Sequence, residues 1–208
     1  MERELWDKYY STLVKISIDP YIDECFSLLL RSLAKCACFS KNQLYLLEVG
    51  SGTGLRTATL KRQFTSIFAV LLDFSTEALK LSKRFSKNLS LNFVLADVRA
   101  LPFRQKSFDF VWCAGLLEHF SGSDRIKIFN ILGKVSRNNV LIIVPNRWNI
   151  LYLIGKSIRK LTKKWKLGHE KAFHPLELRA YAKLANLSIV YQDGTSMFSS
   201  ILFIFQRN

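Results

Sequence analysis

The chain has 208 residues, 49% hydrophobic and 23% charged, enough for one full core and too apolar for a disordered chain. Its formal charge of +15 favours polyanionic partners: nucleic acid, an acidic membrane surface or a phosphorylated small molecule. The four cysteines, Cys25, Cys36, Cys38 and Cys113, form no CxxC pair and have apolar neighbours, which argues against a disulfide framework or a zinc site and for packing.

The opening MERELWDKYY is charged and amphipathic, unlike a signal sequence. No apolar run is long enough to span a bilayer: Arg31 and Lys35 interrupt FSLLLRSLAKCACF, and Pro145, Asn146 and Arg147 interrupt VLIIVPNRWNILYLIG. A soluble, cytoplasmic protein is expected. Residues 3–38 predict two helices, the second opened by Asp19 and Pro20, so that residues 1–40 make a helical cap, as a lid or a packing layer.

From residue 44 onward, short apolar runs alternate with helical spacing. QLYLLEV, IFAVLLD, LNFVLAD, FDFVWCA and NVLIIVP predict strands; LRTATLKRQF, STEALKLSKRFSKN and SDRIKIFNILGKVS predict helices. In the last of these Ile126, Phe129, Leu132 and Val135 share a face, with Ser123 as the expected N-cap. Strand, crossover helix, strand is the pattern of a parallel sheet covered on both faces. LSIVYQD and SILFIFQ leave no room for a crossover helix, so they are expected to pair as an antiparallel hairpin. One domain is expected, with 147–175 as a helical insertion.

The stretch LLEVGSGTG lies where the first strand ends and a helix begins. In a doubly wound sheet, glycines at that place let the backbone bend sharply and touch a ligand at a helix N-terminus. Gly50, Gly52 and Gly54 are spaced GxGxG; the dinucleotide fingerprint GxGxxG would need a glycine where Leu55 stands. Glu48 precedes the glycines and suits a cationic or amino-bearing ligand. Asp73 ends the second strand, the place for a carboxylate that accepts both ribose hydroxyls. Asp97 ends the third, placed to accept from an exocyclic adenine amine while Phe74 and Val98 flank the ring.

These segments, EVGSGTG, LLDFS, ADVRALPF, FDFVWCAGLLEHF and LIIVPN, with a looser tail GHEKAFHPLELRAYAKLANLSIV, resemble the class I, Rossmann-like S-adenosylmethionine-dependent methyltransferases, in their small-molecule branch. The resemblance implies seven strands ordered 3-2-1-4-5-7-6, the last antiparallel, with helices on both faces. It implies that Glu48, Gly50, Gly52, Asp73 and Asp97 surround the cofactor, S-adenosylmethionine or its product S-adenosylhomocysteine. The full contact set expected adds Ser51, Gly54, Phe74, Val98 and Ala114. Asn186 stands where the family usually has glycine, and asparagine tolerates the left-handed conformation.

On the acceptor side the resemblance places Glu118 and His119 beside the cofactor; His119 is a candidate general base or a loop-structuring histidine. Asn146, Arg147 and Trp148 follow the fifth strand toward the same cleft, where Arg147 suits an acidic or phosphorylated acceptor or a surface salt bridge. His169 and His174 are candidates for touching substrate, or for a structural loop role. No metal is expected. The segment NILYLIGKSIRKLTKKWK carries Leu151, Ile154, Ile158, Leu161 and Trp165 at three-and-four spacing among lysines. Such a helix lies on anionic membrane, on nucleic acid, or with its apolar stripe against the domain.

The expected function is therefore methyl transfer to a small molecule. RNA methylation is the rival favoured by charge, yet the Asn/Asp-Pro-Pro-aromatic motif of amino-group methylation is absent, AGLL standing in its place, and Cys113 lacks the proline neighbour of a C5 nucleophile. Tyr152 and Lys156 match the YxxxK spacing of short-chain dehydrogenases, without their TGxxxGxG loop. A cofactor-binding partner subunit without catalysis is the remaining alternative.

Overall fold

A computed structural model describes residues 3–12, 20–36, 42–149, 153–154, 157–158, 161, 170–193 and 200–207. Helix α1 (Arg3–Ser11) and helix α2 (Pro20–Lys35) precede the first strand. The alternating region gives β1 (Leu44–Val49), α3 (Leu55–Gln63), β2 (Ile67–Asp73), α4 (Thr76–Phe85), β3 (Asn92–Leu95), β4 (Phe108–Ala114), α5 (Gly122–Val135) and β5 (Ser136–Pro145). Helix α6 (Pro175–Leu184) and the strands β6 (Leu187–Asp193) and β7 (Ser200–Arg207) close the chain.

All seven strands form one sheet in the order β3-β2-β1-β4-β5-β7-β6. The first five pair in parallel, while β7 is antiparallel to both β5 and β6, as the hairpin reading required. Strand order reverses between β1 and β4, so the crevice of this doubly wound sheet opens where those two strands end. The strands are apolar on both faces because both are covered. On one face Leu46, Phe110, Trp112, Leu141 and Ile204 pack with Leu29 and Leu33 of α2 and Leu60 of α3. On the other, Val111, Ile142 and Phe205 pack with Phe129 and Leu132 of α5 and Leu178 of α6.

Several local expectations shift by a few residues. Helix α5 is capped by Ser121, whose hydroxyl accepts from the Asp124 N–H at 3.4 Å, not by Ser123, which enters the first turn. Strand β3 stops at Leu95, so Asp97 lies beyond it and caps a 3₁₀ turn, Val98–Ala100. Asn186 adopts φ 53°, the left-handed conformation its place in the tail demanded. The apolar stripe of the basic segment is not covered by the domain where it is described: Ile154, Ile158 and Leu161 are exposed.

Gly54 is the glycine the packing needs most. Its φ is 64°, and a Cβ there would meet Leu71 Cδ2 and Ser82 Oγ at 2.2 Å each. Helix α3 and helix α4 are thus docked through the absence of a side chain. Gly54→Ala is expected to lower stability by about 3 kcal/mol, combining left-handed strain with overpacking. Chemical denaturation checks this; a loss below about 1 kcal/mol would show that Leu71 and Ser82 yield freely.

Candidate functional site

The turn after β1 is built by hydrogen bonds to β2. The Ser51 N–H donates to the Leu72 carbonyl at 3.0 Å, and the Gly52 N–H donates to Asp73 Oδ2 at 2.8 Å. The other oxygen of Asp73 accepts from the Ser75 N–H at 2.9 Å. One buried carboxylate therefore fixes both the glycine turn and the entry to α4, where Ser75 is the N-cap. Burial raises the Asp73 carboxyl above its ordinary value, against the hydrogen bonds from Ser75, Gly52 and Phe74.

Glu48 is the second buried carboxylate, directed at the first turn of α3 rather than at solvent. Burial pushes it up to about 7, opposed by Thr57 and the Arg56 guanidinium, while Asp73 nearby adds to the rise. Glu48 Oε2 has no hydrogen-bond partner among the described residues. A buried carboxylate oxygen without a partner is costly unless a donor or cation is brought to it. The geometry thus fits a ligand that carries positive charge; Gly50 and Gly52 add no side chain of their own beside it, and Leu116 and Tyr10 stand over them.

Gly50, Asp73, Phe74, Ala96, Asp97 and Val98 line one small cleft, closed from the β4 side by Leu116 and Phe120. Phe74, Asp97 and Val98 come together there as expected. Asp97 brings a partner that sequence reasoning missed: Arg99, whose Nη2 donates to Oδ2 at 2.7 Å and whose N–H donates to Oδ1 at 2.8 Å. That pairing holds the Asp97 carboxyl below its ordinary value. Ala114 ends β4, with Gly115 at φ 70° directly after it.

Helix α1 closes over this cleft, which the sequence offered only as a choice between lid and packing layer. Arg3 Nε donates to the Phe74 carbonyl at 2.6 Å; Asp7 Oδ1 accepts from Ser75 Oγ at 2.6 Å and from the Glu77 N–H at 3.1 Å. Although burial acts to raise it, those bonds hold the Asp7 carboxyl below its ordinary value. The Tyr10 hydroxyl stands 2.6 Å from where a Cβ on Gly52 would lie. Burial, with Asp73 nearby, keeps that phenol well above its usual range, so it remains a proton donor at neutral pH. Trp6, Tyr9 and Tyr10 recur at positions i, i+3 and i+4 of the helix, the one signal in the sequence that this face was meant to pack.

On the acceptor side, His119 ends the 3₁₀ turn Leu117–His119 after β4, and its ring meets Trp6 edge to face at 5.0 Å. Glu118 is buried, and its carboxylate raises the Cys113 thiol together with the larger effect of burial, which leaves Cys113 no thiolate to attack with. Asn146 is buried at the end of β5, accepting from the Trp148 N–H at 3.0 Å and bridging Phe173, while Arg147 is exposed. His174 is the N-cap of α6: its Nδ1 accepts from the Leu176 N–H at 3.1 Å, and its ring lies 5.4 Å from that of Trp148. His169, Tyr152 and Lys156 lie outside the described residues.

Comparison with known proteins agrees with this fold. Residues 46–139 match the family described as "Methyltransferase domain". An uncharacterised protein of Methanocaldococcus jannaschii is 26% identical over 202 residues, covering 96% of this chain and 77% of that one. Magnesium protoporphyrin IX methyltransferase from Synechocystis PCC 6803, solved with bound S-adenosylhomocysteine, superposes with a TM-score of 0.74 at 12% identity, over 98% of this chain and 94% of that one. A putative methyltransferase of Haloferax volcanii, solved in complex with the Trm112 methyltransferase activator, gives 0.69 at 14% identity, over 97% and 96%. Residues 46–139 are thus similar to a methyltransferase domain, and the seven-stranded sheet with its glycine turn shares the fold of the solved methyltransferases on which the chain superposes.

Proposed function

We propose that the chain transfers a methyl group from S-adenosylmethionine to a small-molecule acceptor. The observation that carries this reading is Glu48: a buried carboxylate, one oxygen of which has no partner among the described residues, directly before the glycine turn. When bound, S-adenosylmethionine supplies a methyl carbon already activated by its sulfonium, so the protein's task is alignment and charge. Glu48 would hold the amino group; Asp73, opposite, would accept from the ribose hydroxyls through its remaining lone pairs. Asp97, with Phe74 and Val98, would hold the adenine. Ser51, Gly50, Gly52, Gly54 and Ala114 supply the backbone that lets the cofactor approach.

The acceptor would approach on the side of Trp6 and His119. An imidazole nitrogen of His119 would take the proton from an acceptor hydroxyl as its oxygen attacks the methyl carbon. Glu118, Asn146, Arg147 and His174 would border that side, with Glu118, Asn146 and His174 shaping it. The aromatic face of α1 over the cleft favours a small acceptor over a polymer, though the charge of +15 alone would suit RNA.

Calorimetric titration with S-adenosylhomocysteine tests the reading through its pH dependence. A cationic amino group favours ionised Glu48, so affinity is expected to rise by up to about tenfold per pH unit between pH 5.5 and 7 and then flatten, with proton release. Glu48→Gln is expected to bind more weakly and without that slope. In the free protein the sign is opposite. The folded state holds a proton up to about 7 that the unfolded chain releases near 4.5, so stability falls across that window by on the order of 3 kcal/mol. Absence of binding in the wild type would overturn the proposal.

A further inference from the structure

Outside the residues that line the cofactor cleft, several described apolar side chains between Trp148 and Leu161 face solvent. Trp148, Ile154, Ile158 and Leu161 are 58%, 51%, 54% and 83% exposed. Leu153, Ile154, Ser157, Ile158 and Leu161 are helical, with the Leu153 N–H donating to the Asn149 carbonyl at 3.1 Å and Ser157 Oγ donating to the Leu153 carbonyl at 2.9 Å. Residues 154, 158 and 161 fall four and three apart, so an α-helix puts them on one face. Interleaved with them in the chain are Lys156, Arg159, Lys160, Lys163 and Lys164, and no acidic residue occurs between Asp124 and Glu170.

We propose that this segment docks the protein on an anionic lipid surface. Each half of its pattern has a use there: the isoleucines, Leu161 and Trp148 enter the boundary between headgroups and acyl chains, and the lysines meet the anionic headgroups. A nucleic-acid backbone would use only the charges and would leave three aliphatic side chains in water. A soluble surface helix would bury that stripe against its own domain, whereas its described members Ile154, Ile158 and Leu161 are exposed. The docking does not depend on the methyl-transfer reading, since none of these residues belongs to the cofactor cleft.

Sedimentation with vesicles tests the proposal. Wild-type protein is expected to pellet with phosphatidylcholine vesicles containing about one-third phosphatidylglycerol, and at least tenfold less with phosphatidylcholine alone. The variant Ile154→Ser, Ile158→Ser, Leu161→Ser is expected to lose at least tenfold on the anionic vesicles, with its melting temperature and its S-adenosylhomocysteine affinity unchanged. A second variant, Lys160→Glu with Lys164→Glu, is expected to lose the preference for anionic over neutral vesicles and provides a reading independent of the first. Wild-type protein left in the supernatant would overturn the proposal. So would a triple-serine variant that pellets like the wild type, or retention of the wild type by tRNA but not by vesicles.

Discussion

Asp73→Ala is expected to weaken S-adenosylhomocysteine binding at least tenfold and to lower folding stability by about 2–6 kcal/mol. Both effects come from one group. In the free protein the Asp73 carboxylate accepts from the Gly52 N–H at 2.8 Å and the Ser75 N–H at 2.9 Å, and it is buried. Alanine leaves two buried donors without acceptors, and each such loss costs about 1–3 kcal/mol. The glycine turn then loses its tie to β2, so the ligand meets a mobile cradle as well as a missing acceptor. Asp73→Asn separates the two contributions, because the amide retains one acceptor oxygen at nearly constant shape. It is expected to recover part of the stability and less of the affinity. Denaturation and calorimetry on the same preparations check this, and an Asp73→Ala protein that binds as tightly as the wild type would remove Asp73 from the cofactor site.

His119→Ala is expected to slow methyl transfer about a hundredfold or more while changing cofactor affinity less than threefold. The backbone of the turn holds without the imidazole, since the His119 N–H donates to the Leu116 carbonyl at 3.2 Å. What the variant loses is the ring that stands edge-on to Trp6 at 5.0 Å. A general base also leaves a mark that a packing residue does not: the wild-type rate should rise with pH as the imidazole loses its proton, and that limb should vanish in the variant. Turnover and a pH profile that match the wild type would return His119 to a structural role.

Much of the fold was legible because period and punctuation agreed. The runs IFAVLLD and FDFVWCA became β2 and β4 residue for residue, and the short gap after LSIVYQD forced the antiparallel pairing of β6 with β7. Asn186 was readable as a left-handed position because few other residues tolerate it. The cap of α5 was misplaced by two residues because Ser121 and Ser123 are chemically equivalent candidates, and only the course of the chain chooses between them.

The placement of the candidate residues was legible where it depends on strand ends and obscure where it depends on distant contacts. Glu48, Asp73, Phe74 and Val98 follow from the sheet, which places each near the C-terminal end of a strand or just beyond it. The clasp of α1 does not: Asp7 meets Ser75 across 68 positions of sequence, and nothing local in MERELWDKYY encodes that meeting. Arg99 escaped notice for a different reason. A basic residue two places after an acidic one is common, and only the 3₁₀ turn folds it back onto Asp97. His174 carried two readings, a substrate contact or a structural loop role, because histidine is chemically versatile; in place, its Nδ1 accepts from the Leu176 N–H as a helix cap.

Transfer of a labelled methyl group is the most direct test of the account. The purified protein, given methyl-labelled S-adenosylmethionine and whole cell extract, which would also supply any activating partner, is expected to place label in a low-mass acceptor. An equal amount of S-adenosylhomocysteine should form, and both should fall at least tenfold with Asp73→Ala. Label carried only by RNA, or no label from a protein that also fails to bind S-adenosylhomocysteine, would contradict it.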